Sequence, residues 1–370
     1  MGSVATIKAI QNSILSLNKY SNNVLKPSLL NVFGEWDFLK GEFEKKGIEI
    51  IDLQKRKIDT RTFGYLKSRI IYILIFLTSF FPLKNIIKKN NPNYLVVHLI
   101  TSLPIFLYSI FNFETKLILR ISGFPKLNFF RKLLWTLGSK KIFKVICPTV
   151  ETANYLKSLN IFYHEKIIFI EDPIINISEI NKKKKIKISE ELLNNKPYMV
   201  NIGRLTNQKN QNILIESFNE IKDLLEKYKL IIVGDGEKFD ELNYKIKRYN
   251  LKDKIYLIGY KENIFNILKN STCLIQTSKW EDPGFTIFES AATNTSIISS
   301  DCPNGPSEFI ENEKCGYLFK NNDFKSLSLA IKKFLNEETS EISKKKINAK
   351  KKIKKYTLLC HYKKLKNCFI

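Results

Sequence analysis

Histidine, paired cysteine and glycine are all scarce in this chain, and each scarcity excludes something. The 370 residues hold three His, six Cys and 14 Gly. Cys147, Cys273, Cys302, Cys315, Cys360 and Cys368 form no C-x-x-C pair and have no histidine cluster beside them. That pattern excludes a zinc-ribbon or a disulfide scaffold and reads as reduced, intracellular thiols without a metal. The opening "MGSVATIKAIQNSILSL" lacks a basic start followed by an unbroken apolar core, so no secretory signal is expected. One long run is apolar and uncharged, "IIYILIFLTSFFPL" at residues 70–83. It falls short of the ~20 residues of a bilayer span, so a buried or interfacial helix is expected. Zinc-finger, helix-turn-helix and aromatic ribonucleoprotein signatures are all missing, and no nucleic-acid partner is expected.

What is present points to two domains. A length of 370 residues and 44% hydrophobic content suffice for two cores. Sixty-one Lys and Arg against 36 Asp and Glu give a formal charge of +25. Such a surface favours anionic partners, among them nucleotide phosphates and the acidic leaflet of a membrane. A skew toward Lys, Ile and Asn at the expense of Arg, Ala and Gly accounts for part of that charge by composition alone.

Short runs rich in Ile and Val alternate with helical stretches in both halves. "GIEIIDL", "YLVVHLI", "KLILRIS", "KVICPT" and "KIIFIED" come first; "YMVNIGRL", "KLIIVGDG", "IYLIGY", "CLIQTS" and "SIISSD" follow. Helices are expected over 129–137 and 150–159. Strands this apolar, alternating with helices, argue for parallel sheets covered on both faces: an α/β chain of two Rossmann-like, doubly wound domains. The lysine run and pre-proline break of residues 176–197 suggest a linker, which puts the domains at 1–190 and 191–345. A basic amphipathic helix is expected over 346–370.

Ligands of doubly wound sheets bind where the strands end. After "YMVNI", Gly203 releases the chain, and Arg204 and Lys209 follow at a spacing that lets two cations converge on one anion such as a diphosphate. After "KLIIV" comes the turn Gly234-Asp235-Gly236, which permits close backbone approach. The segment "KWEDPGFTIFES" places Glu281 in a loop, a Pro-Gly turn at Gly284, and Glu289 about one turn (~6 Å) into the helix that starts near Phe285. The N–H groups at Gly284 and Phe285 would form an anion site at the positive end of that helix. Carboxylates accept the paired hydroxyls of a sugar.

These residues carry a resemblance. "GRLTNQKN", "LIIVGDGEKFDEL", "KIYLIGY" and above all the E-x7-E of "EDPGFTIFE", followed by "SIISSDCPNGPSEFI", resemble glycosyltransferase family 4. The likeness is strong over 198–334. It is more diffuse before residue 190, where "VVHLITSLP", "LRISGFPKLN" and "CPTVETANYL" resemble the acceptor-side domain of bacterial surface-polysaccharide transferases.

The resemblance implies the GT-B fold, two Rossmann-like domains facing across a cleft. It implies a retaining hexosyltransferase that needs no metal and no cofactor beyond its nucleoside diphosphate sugar donor. The acceptor would be a glycan or a lipid-linked glycan of lipopolysaccharide, O-antigen or capsule synthesis. Arg204 and Lys209 would hold the donor diphosphate, Glu289 the ribose, and Glu281 the hydroxyls of the transferred sugar. Gly203 and Gly234 would line the donor site, the backbone at Gly284 and Phe285 would contact sugar or phosphate, and the segment at Tyr260 would approach the base. A cytoplasmic place, peripheral on the inner face of the cell membrane, follows from family analogy together with the basic surface and the apolar run.

Two departures from the family pattern stand out. Its usual first strand and glycine-rich loop are reduced to Gly2-Ser3, so a missing first strand is expected. The histidine often found after an N-domain strand is not evident, although His98 follows another strand. The rivals are a sugar-nucleotide epimerase of the same fold and a truncated, inactive membrane scaffold.

Overall fold

The computed structural model describes residues 5–54, 65–98, 101–125, 127–188 and 197–369. It divides into two compact units. The amino-terminal unit comprises Ala9–Pro148, Thr152–Ile170 and His361–Ile370, and the carboxyl-terminal unit Met1–Lys8, Thr149–Glu151 and Glu171–Cys360. The boundary expected near residue 190 lies outside the described residues, and compactness groups Glu171–Cys360 with the carboxyl-terminal unit.

In the amino-terminal unit, β1 (Ser28–Asn31) and β2 (Glu49–Asp52) form a parallel pair. A four-stranded parallel sheet follows, β3 (Tyr94–Val97), β4 (Lys116–Arg120), β5 (Ile142–Cys147) and β6 (Ile167–Phe169), in sequential order. Leu117, Leu119 and Val145 point into a core with Leu103, Ile105, Leu107 and Trp135 from the covering helices. The second face packs Ile118, Ile146 and Ile170 against Leu365 and Cys368 of the tail.

The carboxyl-terminal unit holds β7 (Tyr198–Ile202), β8 (Lys229–Val233), β9 (Ile255–Leu257), β10 (Cys273–Gln276), β11 (Ser296–Ser300) and β12 (Tyr317–Phe319). All pair in parallel, in the order β12-β11-β10-β7-β8-β9. The chain winds outward one way from β7 through β9, then restarts at β10 on the other side. The order therefore reverses between β7 and β10, the place where doubly wound sheets bind ligands. Fully buried β10 and β11 explain why their sequences read as continuous apolar or small runs.

With glycine scarce, asparagine takes the left-handed positions that end helices: Asn91 (φ 38°), Asn160 (52°), Asn250 (54°) and Asn294 (64°). Its short polar side chain tolerates that region better than other residues with a Cβ.

Two sequence expectations change. The apolar run becomes the middle of a 26-residue helix, Tyr65–Asn90, with Pro82 inside it. Its stretch Ile71–Asn90 is long and apolar enough to cross a membrane: an 18-residue window within it has a mean hydropathy of 1.5, and 22% of that window is buried. The basic tail is not one helix over 346–370. It comprises helix Thr339–Lys352, a tight turn at Ile353–Tyr356 and helix Leu358–Lys366. The break has a cause in packing: Tyr356 stacks on Phe288, ring centroids 4.2 Å apart, and Thr357 bridges to Ile175.

Candidate functional site

The carboxyl ends of β7, β8 and β9 are joined by glycine. Gly203 N–H donates to Val233 O at 3.0 Å, and Gly234 N–H to Gly259 O at 2.9 Å. Gly234 has φ +138°, and a Cβ there would lie 2.0 Å from Gly203 O. A Cβ at Gly236 would lie 2.3 Å from Leu205 O. The Gly-Asp-Gly turn thus rests directly on the loop after β7, and Leu205 N–H seals it by donating to Asp235 O at 2.9 Å. Any side chain at Gly234 would push the two loops apart. This packing leaves Arg204 exposed beyond the strand end. Tyr260, also exposed, donates its backbone N–H to Asp235 Oδ2 at 3.1 Å.

Lys209 runs back along the same loop. A Cβ on Gly203 would meet its aliphatic stem at 3.3 Å, so the glycine lets the stem lie against the backbone. Its ammonium reaches across the switch point, where Lys209 Nζ donates to Glu281 Oε1 at 2.6 Å. The same oxygen accepts Gln276 Nε2 at 2.7 Å and the Ser278 hydroxyl. Gln276 is in turn oriented by Thr286, whose hydroxyl donates to Gln276 Oε1 at 2.9 Å. Glu281 is 4% exposed, and these donors offset the cost of burying its polar oxygens.

The loop carrying Glu281 is fixed at both ends. Glu281 N–H donates to Pro303 O at 3.2 Å, while Asn304 Nδ2 donates to Glu281 O at 2.9 Å and to Asp282 Oδ1 at 2.7 Å. The Asp282–Pro283 peptide is cis, and Gly284 takes φ +89° as the residue capping helix Phe285–Thr293. Its missing side chain matters here, since a Cβ would lie 3.1 Å from Gln276 Nε2.

Glu289 sits one turn into that helix, as the spacing implied, and is 6% exposed. Its Oε1 accepts Lys8 Nζ at 2.7 Å, and Lys8 belongs to the same compact unit. Burial alone would lower the Lys8 pKa, but the charge of Glu289 and its hydrogen bond raise it above the ordinary lysine value. Nearby Cys302 is fully buried, and burial pushes its thiol up to about 12, so it stays protonated and is no nucleophile.

Several of the sequence-derived residues form a connected chain at the strand ends: Gly234 packs on Gly203, Gly203 lies against the Lys209 stem, Lys209 pairs with Glu281, and Glu281 lies beside Gly284. Tyr260 is tied to the turn at Asp235, while Arg204 is exposed after β7 and Glu289 is held by Lys8. One contact was not foreseen: Lys209 is paired with Glu281. Phe285 opens the helix as expected, with its side chain buried. Sequence reasoning missed Gln276, Ser278, Asn304 and Lys8. A polar residue closing the apolar run "CLIQ" was a readable signal for Gln276; nothing in the sequence pointed Lys8 at Glu289.

Comparison with known proteins gives the family and the fold. The profile of the family described as "Glycosyl transferases group 1" matches residues 182–355. An uncharacterized glycosyltransferase of Methanocaldococcus jannaschii is 30% identical over 310 residues, 80% of this chain and 73% of that protein. An Escherichia coli enzyme named UDP-Gal:alpha-D-GlcNAc-diphosphoundecaprenol alpha-1,3-galactosyltransferase is 33% identical over 155 residues, 41% of this chain and 39% of its own. Among solved structures, Anabaena HepE, crystallised with UDP and glucose, superposes with a TM-score of 0.70 at 16% identity, covering 97% of this chain and 95% of its own. The fold is that of the GT-B glycosyltransferases, and the chain belongs to the glycosyl transferases group 1 family.

Proposed function

We propose that this glycosyltransferase is a retaining, metal-independent member of family 4. It moves a hexosyl group from a nucleoside diphosphate sugar to a lipid-linked glycan in cell-surface polysaccharide synthesis. The observation that carries this reading is the Lys209–Glu281 pair at the switch point, with Arg204 exposed beside it and a second buried acid, Glu289, one helical turn further on.

In this reading Arg204 grips the donor diphosphate and Lys209 supplies a second positive charge; of its three N–H donors, the one on Glu281 leaves two. The end of helix Phe285–Thr293 adds its backbone dipole, so charge developing on the departing diphosphate is stabilised. Glu281, held rigid by three donors, accepts hydroxyls of the transferred sugar through its second oxygen. Glu289 takes the ribose, and the segment at Tyr260 lies toward the base. The departing diphosphate oxygen takes the acceptor proton on the same face of the sugar, which preserves the anomeric configuration without a protein nucleophile.

The lipid-linked acceptor and a cytoplasmic, peripheral place at the membrane are supported by the amino-terminal unit. Tyr72, Ile73, Leu77 and Phe81 on one helix and Phe129, Phe130, Leu133 and Leu137 on another are exposed, with lysines at the helix ends. An apolar surface of that extent beside cations suits an anionic bilayer. The partial relative in Escherichia coli acts, by its name, on an undecaprenyl diphosphate-linked sugar. The experiment is incubation of the protein with UDP-, GDP- and ADP-hexoses and an undecaprenyl diphosphate-linked sugar, with and without EDTA, and proton NMR of the product. Transfer with retained α-configuration, unchanged by EDTA, is expected. Inversion, dependence on a metal, or epimerised donor formed without acceptor would each overturn the reading.

A further inference from the structure

Glu289 and the ribose assigned to it do not meet freely, because a cation already occupies the acid. Lys8 Nζ is 2.7 Å from Glu289 Oε1, and their side chains are 27% and 8% exposed. The ammonium also lies 5.5 Å from the ring centroid of Phe265, a buried residue of the same unit. A carboxylate grips a ribose diol best with both oxygens, one to each hydroxyl, and here one oxygen is taken.

We propose that Lys8 holds the ribose-binding oxygen of Glu289 in the donor-free protein, and that it sets donor affinity by competing with the ribose hydroxyls for that oxygen. This rests on the reading of Glu289 as the ribose acceptor. The donor meets a carboxylate that must first exchange an ammonium, so apparent affinity falls by the fraction of molecules in which Glu289 is open. The Lys8 side chain is partly exposed, which lets the ammonium exchange from Glu289 to water. A lysine acting only as a fold contact would not discriminate between nucleotides with and without ribose hydroxyls.

That difference supplies the test. UDP, with GDP and ADP beside it, is titrated by calorimetry into the wild-type protein, Lys8→Met, Lys8→Arg and Glu289→Ala, and each measurement is repeated with the 2′,3′-dideoxy nucleotide. Lys8→Met keeps the apolar stem, and Lys8→Arg keeps the ion pair. Lys8→Met is expected to bind the ribonucleotide roughly three- to tenfold more tightly and the dideoxynucleotide no better, while Lys8→Arg stays within about twofold of wild type. Removing a positive charge near a diphosphate would by itself weaken both ligands alike, so the ratio of the two affinities isolates the competition. An unchanged or weaker ribonucleotide affinity in Lys8→Met overturns the proposal, as does an equal gain for the dideoxy ligand. Ribonucleotide binding that survives Glu289→Ala intact overturns the ribose assignment itself, and no binding by any of the proteins overturns the donor reading; the inference falls with either.

Discussion

Lys209 Nζ lies 2.6 Å from Glu281 Oε1, and this contact ties the loop after β7 to the loop after β10, the two neighbouring strands between which the sheet order reverses. The pair gives the site its stiffness as well as its charge. Because Gln276 and Ser278 donate to the same oxygen, Glu281 cannot rotate without leaving buried donors unmet.

Replacing this acid should separate stability from chemistry. Glu281→Gln preserves shape and is expected to lower stability by only ~1 kcal/mol, while Glu281→Ala leaves a partly buried lysine unpaired and costs about 2–4 kcal/mol. Both are expected to lower transfer by roughly 100-fold or more, since each removes the charge that the proposed reading puts at the reacting sugar. Urea denaturation and initial rates measured on the same preparations check the two effects.

Gly234 and Gly41 form a matched contrast. A methyl at Gly234 would sit 2.0 Å from Gly203 O at φ +138°, whereas one at Gly41 meets nothing within 4 Å. Gly234→Ala is expected to destabilise by more than ~2 kcal/mol and to abolish nucleotide binding, because the loops bearing Arg204 and Asp235 must separate. Gly41→Ala, in helix Lys40–Glu44, is expected to be neutral or to stabilise by up to ~1 kcal/mol. Thermal melts with and without UDP check both.

His98 follows β3, and burial, then the charges of Arg120 and His361, push its imidazole down to about 3. Its folded pKa lies below the unfolded value of about 6.5, so between those values the unfolded chain binds a proton that the folded one does not. Its contribution to stability is therefore complete above pH 6.5 and is lost progressively as pH falls toward 3. Histidine NMR resonances are expected to show no titration at His98 between pH 5 and 8, and His98→Asn is expected to flatten the acid limb of the stability curve.

The exposed apolar face of the amino-terminal unit offers another test. Leu77→Glu combined with Phe130→Glu alters side chains that are 64% and 77% exposed, so the melting temperature is expected to stay within about 2 °C. Co-sedimentation with vesicles containing phosphatidylglycerol is expected to fall at least ~10-fold.

Most of the sheet was legible, and the reason is burial. All ten runs contain a strand, and in β7, β8, β10 and β11 cover on both faces leaves little room for polar alternation. β1, "SLLN", and β12, "YLF", were not legible, since neither lies in a run rich in Ile and Val as the comparably short β6 and β9 do. The helix start at Phe285 and the depth of Glu289 followed from the Pro-Gly turn and helical rise. The partners of the acids did not, because Lys8 and Lys209 lie 281 and 72 residues from them in the chain. No local pattern encodes such a contact: the motif after β7 singled out Lys209 but did not tie it to Glu281, and nothing in so lysine-rich a chain singled out Lys8.

In the proposed reading a nucleoside diphosphate binds the carboxyl-terminal unit with its ribose on Glu289 and its phosphates on Arg204. Calorimetric titration of UDP, GDP and ADP into wild type, Glu289→Ala and Arg204→Ala tests it most directly. One nucleotide is expected to bind wild type at micromolar concentration and to lose at least ~10-fold in affinity in each variant, with the folds intact by circular dichroism. Wild-type affinity retained in both variants would contradict the account.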